Sequence, residues 1–217
     1  LKNASIEEIE RKTNEALLFD AYRDQEKLKV KYKGADNIEG LENVLYMCPH
    51  CKNEFCMSII DKNRIRCDKC GWEQECDEYA FLHNKCGLGQ ELRYVSDWSK
   101  LIYQELKKKI SCGIEDVITS KTEIFMIDYE KHKFVKVGDG ILTLDKHNFT
   151  INGRINGDDK LICIPITNIP TLPFGPGKYL EVQHGDDIYR CAPENGRLVM
   201  KYINMVKIFY ELNLAGT

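Results

Sequence analysis

The period of the hydrophobic positions changes along this chain, and each change predicts an element. Ser5-Ile6-Glu7-Glu8 has the form of a capping box, and Ile6, Ile9, Ala16, Leu17 and Ala21 continue it as an incomplete apolar stripe, which predicts an N-terminal helix. Residues 27–33 alternate lysine with Leu28, Val30 and Tyr32, the pattern of an extended segment with a solvated lysine face. From Asp97, the residues Trp98, Leu101, Ile102 and Leu106 mark one face of a second helix, with Lys107, Lys108 and Lys109 at its negative end. Beyond about Val117 the period falls to two. Segments 123–127, 133–137, 141–144, 149–151, 161–164, 179–182 and 188–191 predict about seven antiparallel strands. Turn residues stand between them at Gly138-Asp139-Gly140, 145–148, 156–159 and 185–187. Val199, Tyr202, Ile203, Val206, Phe209 and Tyr210 then form a full stripe on a closing helix, with Pro193 suited to its first turn.

Between the first two helices the pattern gives way to cysteines. Cys48-x-x-Cys51 and Cys67-x-x-Cys70 are two pairs at the spacing that folds two knuckles around one tetrahedral metal, a zinc ribbon. A hairpin over 55–60 and 65–66, turning at 61–64, would bring the second knuckle over the first. Four thiolates fill the shell of Zn²⁺ and leave no position for water or substrate, so the predicted site is structural. Structural zinc contributes about 10–16 kcal/mol in small peptides, more than so short a hairpin gains by burial. Six other cysteines, Cys56, Cys76, Cys86, Cys112, Cys163 and Cys191, have no second paired spacing, and their default reading is a buried inert thiol; Cys76 and Cys86 lie near enough in sequence to substitute as ligands. Lys52 stands where a knuckle commonly has glycine, whereas Gly71 keeps that residue in the second knuckle.

Composition narrows the partners. With 217 residues, 43% hydrophobic and 30% charged, the chain has the make-up of a globular protein of one or two modest domains. Its ten cysteines without an apolar leader favour a reducing cytoplasm over a secreted disulfide scaffold. The net charge of −3, and six Lys/Arg against seven Asp/Glu over 48–85, argue against nucleic acid as a partner. No stretch approaches the roughly 18 apolar residues of a membrane span, so membrane contact would be peripheral. The expected organisation is an α+β chain: an N-terminal helix and linker over 1–44, the zinc ribbon over 45–85, a connecting helix over 86–115, and a β domain with its C-terminal helix over 116–217.

Seven strands followed by one amphipathic helix resemble a pleckstrin-homology-like barrel, whose last helix plugs one open end. In lipid-binding members of that fold a basic loop between the first strands holds the headgroup, and Lys131, Lys133 and Lys136 occupy a comparable place. They are candidates for contact with an anionic membrane surface. Glu130 interrupts the cluster, and a charged hairpin turn accounts for it as well.

Glu15-Ala16-Leu17 leading to Tyr22, then 39–51 through Met47-Cys48-Pro49-His50-Cys51, together with Asp97-Trp98 and 169–179, resemble the C-terminal region of a clostridial-type 1-acyl-sn-glycerol-3-phosphate acyltransferase with a zinc-ribbon extension. The resemblance implies an accessory region of a membrane-peripheral, phosphatidate-forming enzyme, docked on a catalytic domain of the same polypeptide. Leu1 at the start, directly before a helix cap, fits a piece cut downstream of such a domain. The family's catalytic H-x-x-x-x-D motif has no counterpart: five positions after His50, His83, His132, His147 and His184 stand Phe55, Leu88, Val137, Asn152 and Tyr189, so no catalytic residue is assigned. Two other classes remain open: a stand-alone zinc-ribbon adaptor, and a rubredoxin-like carrier using the same thiolates for iron.

Overall fold

A computed structural model describes residues 4–34 and 38–215. The N-terminal stripe forms two helices, α1 (Ile6–Leu17) and α2 (Ala21–Leu28). Ser5 Oγ accepts from the Glu8 N–H at 3.2 Å, the expected cap, and Asp20 caps the second helix by accepting from the Tyr22 N–H. Helix α1 buries none of its residues. Helix α2 docks through polar contacts: Gln25 is buried and donates to the Tyr79 carbonyl, and Arg23 pairs with Asp97 at 3.1 Å. The expected extended segment at 27–33 is instead the end of α2 followed by a reversal, because Lys29 takes a left-handed φ of 49° and closes the helix.

The ribbon follows a short helix α3 (Leu41–Val44) and holds four antiparallel strands, β1 (Met57–Asp61), β2 (Arg64–Cys67), β3 (Glu73–Cys76) and β4 (Leu82–Asn84), in sequential order. The first pair is the hairpin that the sequence predicts. The second pair carries no alternation strong enough to announce it; its turn is set by Asp77, whose Oδ1 accepts from the Tyr79 and Phe81 N–H groups at 2.9 and 3.0 Å.

Helix α4 (Val95–Ser111) buries Trp98, Ile102, Leu106 and Ile110 along one stripe, and that stripe serves two cores. Trp98 and Ile102 enter the ribbon core with Trp72, Met57 and Ile65, whereas Leu106 and Ile110 enter the core of the second sheet. Trp98 stands edge-on to Trp72 with ring centroids 5.0 Å apart, and its Nε1–H donates to the Met47 carbonyl at 2.9 Å.

The second sheet contains β5 (Val117–Asp128), β6 (Lys133–Asp145), β7 (Asn148–Ile155), β8 (Asp158–Pro165), β9 (Phe174–Gly175), β10 (Tyr179–His184) and β11 (Asp187–Pro193). Its order is β8-β7-β6-β5-β11-β10-β9. This corrects the expected pleckstrin-homology-like barrel, because the sheet is open. Strands β8 and β9 stand at opposite edges and are not hydrogen-bonded to each other. The chain between them explains why: Ile166, Ile169 and Leu172 are buried in the core beside helix α5 (Leu198–Ala215), and β9 is only two residues long. Pro193 ends β11 and does not open the helix, which begins at Leu198.

Gly138-Asp139-Gly140 is also not a turn. Strand β6 runs through it with a register shift against β5. Glycine is needed there because the strands approach closely: a Cβ on Gly138 would lie 1.8 Å from the Arg154 carbonyl oxygen, and one on Gly153 would lie 2.4 Å from that of Asp139. Two expected strands thereby merge into one long β6.

The ribbon and the second sheet are joined by buried charge. Lys201 of α5 is 7% exposed and pairs with Glu54 at 2.6 Å and with Glu115, while Lys109 of α4 reaches the other Glu54 oxygen at 2.5 Å. Arg197 donates to the Phe55 carbonyl at 3.0 Å. Burial alone would raise the Glu54 pKa, but Lys109 and Lys201 outweigh it and hold the carboxyl below its ordinary value. Removing one partner strands the others, so Lys201→Ala is expected to lower stability to urea by about 3 kcal/mol. A depressed folded pKa gives stability that is present above the unfolded value, about 4.3 for glutamate, and lost as pH falls through the folded value. The gap between wild type and Lys201→Ala should therefore narrow on acidification below that range, and a gap independent of pH would contradict the assignment.

Candidate metal centre

Each knuckle is a backbone turn closed by the same two hydrogen bonds. In the first, Cys48 N–H donates to the Asn53 carbonyl at 2.9 Å and Lys52 N–H to the Cys48 carbonyl at 3.0 Å. In the second, Cys67 N–H donates to the Trp72 carbonyl at 2.8 Å and Gly71 N–H to the Cys67 carbonyl at 2.9 Å. Lys52 and Gly71 occupy equivalent positions with φ of 60° and 74°. The first knuckle thus keeps the geometry with a lysine in the left-handed region, its ammonium 3.2 Å from Glu105 of α4. The β1/β2 hairpin, with Met57 opposite Cys67, brings the two turns together.

The result is one group of four sulfurs. Cys48, Cys51, Cys67 and Cys70 place their Sγ atoms within 4.8 Å of one another, and it is the one such group found among the described residues. Cys48 and Cys70 are 3.7 Å apart, as are Cys51 and Cys67. A tetrahedron with zinc–sulfur bonds of about 2.3 Å has sulfur–sulfur edges of about 3.8 Å. The donor set and its dimensions therefore fit a structural, zinc-type metal site. Cys48 and Cys67 are buried; Cys51 and Cys70 are half-buried.

The electrostatics point the same way. Burial pushes the Cys48 and Cys70 thiols up, since a thiolate there has lost its water. Burial also opposes ionisation of Cys51, but Asn53 Nδ2–H, 3.2 Å from its sulfur, and backbone donors bring this thiol down to about 6. A divalent cation reverses the penalty at the other positions, because it supplies the positive charge that the buried thiolates lack.

Of the remaining cysteines, Cys76 and Cys86 lie outside the group: Cys76 is buried in the ribbon core, and the Cys86 sulfur accepts from the Glu73 N–H at 3.3 Å. Cys112 and Cys163 are exposed, contrary to the default of burial. Cys56 was not legible as part of the centre, yet its sulfur lies 3.4 Å from that of Cys67. Of the candidate lipid contacts, Lys131 lies in the β5/β6 turn and Lys133 and Lys136 lie in β6. Lys131 pairs with Asp128 at 2.8 Å, Lys136 pairs with both Glu123 and Asp139 at 2.8 Å, and Lys133 opens β6 as an exposed residue. Among the described residues no helix is long and apolar enough to cross a membrane.

No protein-family model matches the chain, and no curated protein matches it. Among solved structures it is similar to the Ran-binding domain of the nuclear complex component Nup2 from Ashbya gossypii, at 11% identity and a TM-score of 0.33, over 44% of this chain and 99% of that one. A likeness this slight carries no argument about fold or function. The acyltransferase, transferase and phospholipid-biosynthesis descriptors implied by the sequence resemblance thus have no support, and the pleckstrin-homology-like descriptor falls with the open sheet.

The matched knuckles give a paired expectation for stability. Lys52→Gly relieves a left-handed residue, a strain of about 1–2 kcal/mol, against about 0.4–1 kcal/mol of added unfolded-chain entropy, for a net gain of about 0.5 kcal/mol. Gly71→Ala meets no atom closer than 3.9 Å, so its expected loss of about 1 kcal/mol is conformational. Denaturant melts of the metal-loaded variants check both; equal effects at the two positions would contradict the equivalence of the knuckles.

Proposed function

We propose that this chain is a zinc-stabilised protein-interaction module, an adaptor in which the ribbon and the open sheet form one interaction surface. The observation that carries the reading is the closed donor set: four cysteines make the whole shell, with no place for a substrate on the metal. The metal's work is then to fix shape. Its knuckle passes that shape on, since Glu54 and Phe55, three and four residues after Cys51, are held by Lys109, Lys201 and Arg197. An adaptor of this kind needs its ligands reduced, so the reading places it in a reducing compartment such as the cytoplasm. The partner is a protein surface, in the same polypeptide or in another.

The experiment uses the wild-type chain and Cys48→Ser as baits in parallel affinity capture, after metal analysis of each. The expected outcome is a colourless wild-type protein with one zinc per chain and a partner retained by wild type and lost from Cys48→Ser. Identical captures by the two baits would contradict the role of the metal. A red protein with iron and thiolate charge-transfer bands would replace the adaptor with an electron carrier.

A further inference from the structure

The metal centre has a fifth sulfur. Cys56 Sγ lies 3.4 Å from Cys67 Sγ, closer than either measured approach between two ligands, 3.7 Å. The thiol is 5% exposed and sits in the ribbon core with Met57, Ile65 and Trp72. Its position is fixed from both knuckles. On the first side its sulfur faces the Asn53 carbonyl at 3.2 Å, after a chain reversal at Phe55 with φ of 58°. On the second side its own carbonyl accepts from the Asp68 N–H at 2.8 Å, next to ligand Cys67. The contact is specific to one corner of the tetrahedron: Cys67 is the one ligand whose sulfur meets Cys56 within bonding range of a hydrogen bond among the described residues.

We infer that Cys56 is a reserve ligand, able to take the place of Cys67 in the metal's shell. This rests on the metal-site reading above. As the Cys56 sulfur–metal bond forms, its S–H proton passes to the departing Cys67 thiolate, or to solvent where Cys67 is replaced or blocked, so four thiolates remain on the metal and its oxidation state is unchanged. The Cys56 sulfur is already in contact with the one that it would replace. A centre built this way keeps its metal when Cys67 is alkylated, a property that the two Cys-x-x-Cys pairs alone do not confer.

Cobalt(II) serves as the probe, because four thiolates give it intense tetrahedral and charge-transfer bands that weaken when a sulfur is lost. Wild type, Cys67→Ser, Cys48→Ser, Cys56→Ser and the Cys56→Ser/Cys67→Ser pair are titrated in the full chain. The expected result is a four-sulfur spectrum for wild type, Cys56→Ser and Cys67→Ser, and loss of that spectrum in Cys48→Ser and in the double variant. A Cys67→Ser protein that shows three-sulfur bands, or takes up no cobalt, overturns the inference, as does a double variant no worse than Cys67→Ser. Failure of wild type itself to bind cobalt would instead remove the metal-site reading, so the two failures are distinguishable.

Discussion

Four thiols gathered in a buried knuckle pair must either stay protonated or receive a compensating positive charge, and the rest of the ribbon is arranged around the second solution. The sulfur spacing of 3.7 Å is the spacing a bound zinc-sized ion imposes, while burial alone pushes Cys48 and Cys70 toward the neutral thiol. Cys51 is the exception: burial opposes its ionisation too, but Asn53 favours its thiolate. The four-stranded ribbon sheet is too small to hold this geometry by apolar burial alone. Its core is completed from outside, by Trp98 and Ile102 of α4.

That borrowing makes the ribbon and the second sheet a single mechanical object. One helix feeds both cores along one stripe, and one buried lysine, Lys201, joins the chain just after the first knuckle to the C-terminal helix. Lys107 and Lys109, which look in sequence like residues complementing a helix dipole, are used instead as ties, to Glu211 and Glu54. The first knuckle is thus joined to Lys201 of α5 by three residues of chain after Cys51 and then the Glu54–Lys201 ion pair.

The legible parts of this protein are those whose chemistry is local in sequence. The Cys-x-x-Cys pairs specify a metal by spacing, Ser5 and Glu8 specify a helix start, and period-two runs specify strands. The illegible parts depend on what arrives from far away. Gly138-Asp139-Gly140 reads as a turn until β7 is seen pressing Arg154 and Gly153 against it. Openness of the large sheet depends on Ile166, Ile169 and Leu172 preferring the helix-lined core to an edge pairing. The Glu54–Lys201 pair spans 147 positions, and no pattern in either neighbourhood announces it. Cys56 belongs to no spaced pair, so only the fold reveals its contact with Cys67.

Both tryptophans of the chain, Trp72 and Trp98, lie in the ribbon core, so their fluorescence reports on that core alone. The most direct test of the account is to follow their emission through a thermal melt of the metal-loaded protein and of the same protein stripped by a chelator, with zinc content measured on both. One zinc per chain is expected and, on its removal, a red-shifted emission and loss of the cooperative transition, restored by adding zinc. A stripped protein with unchanged emission and an unchanged melt would show that the ribbon stands without the metal.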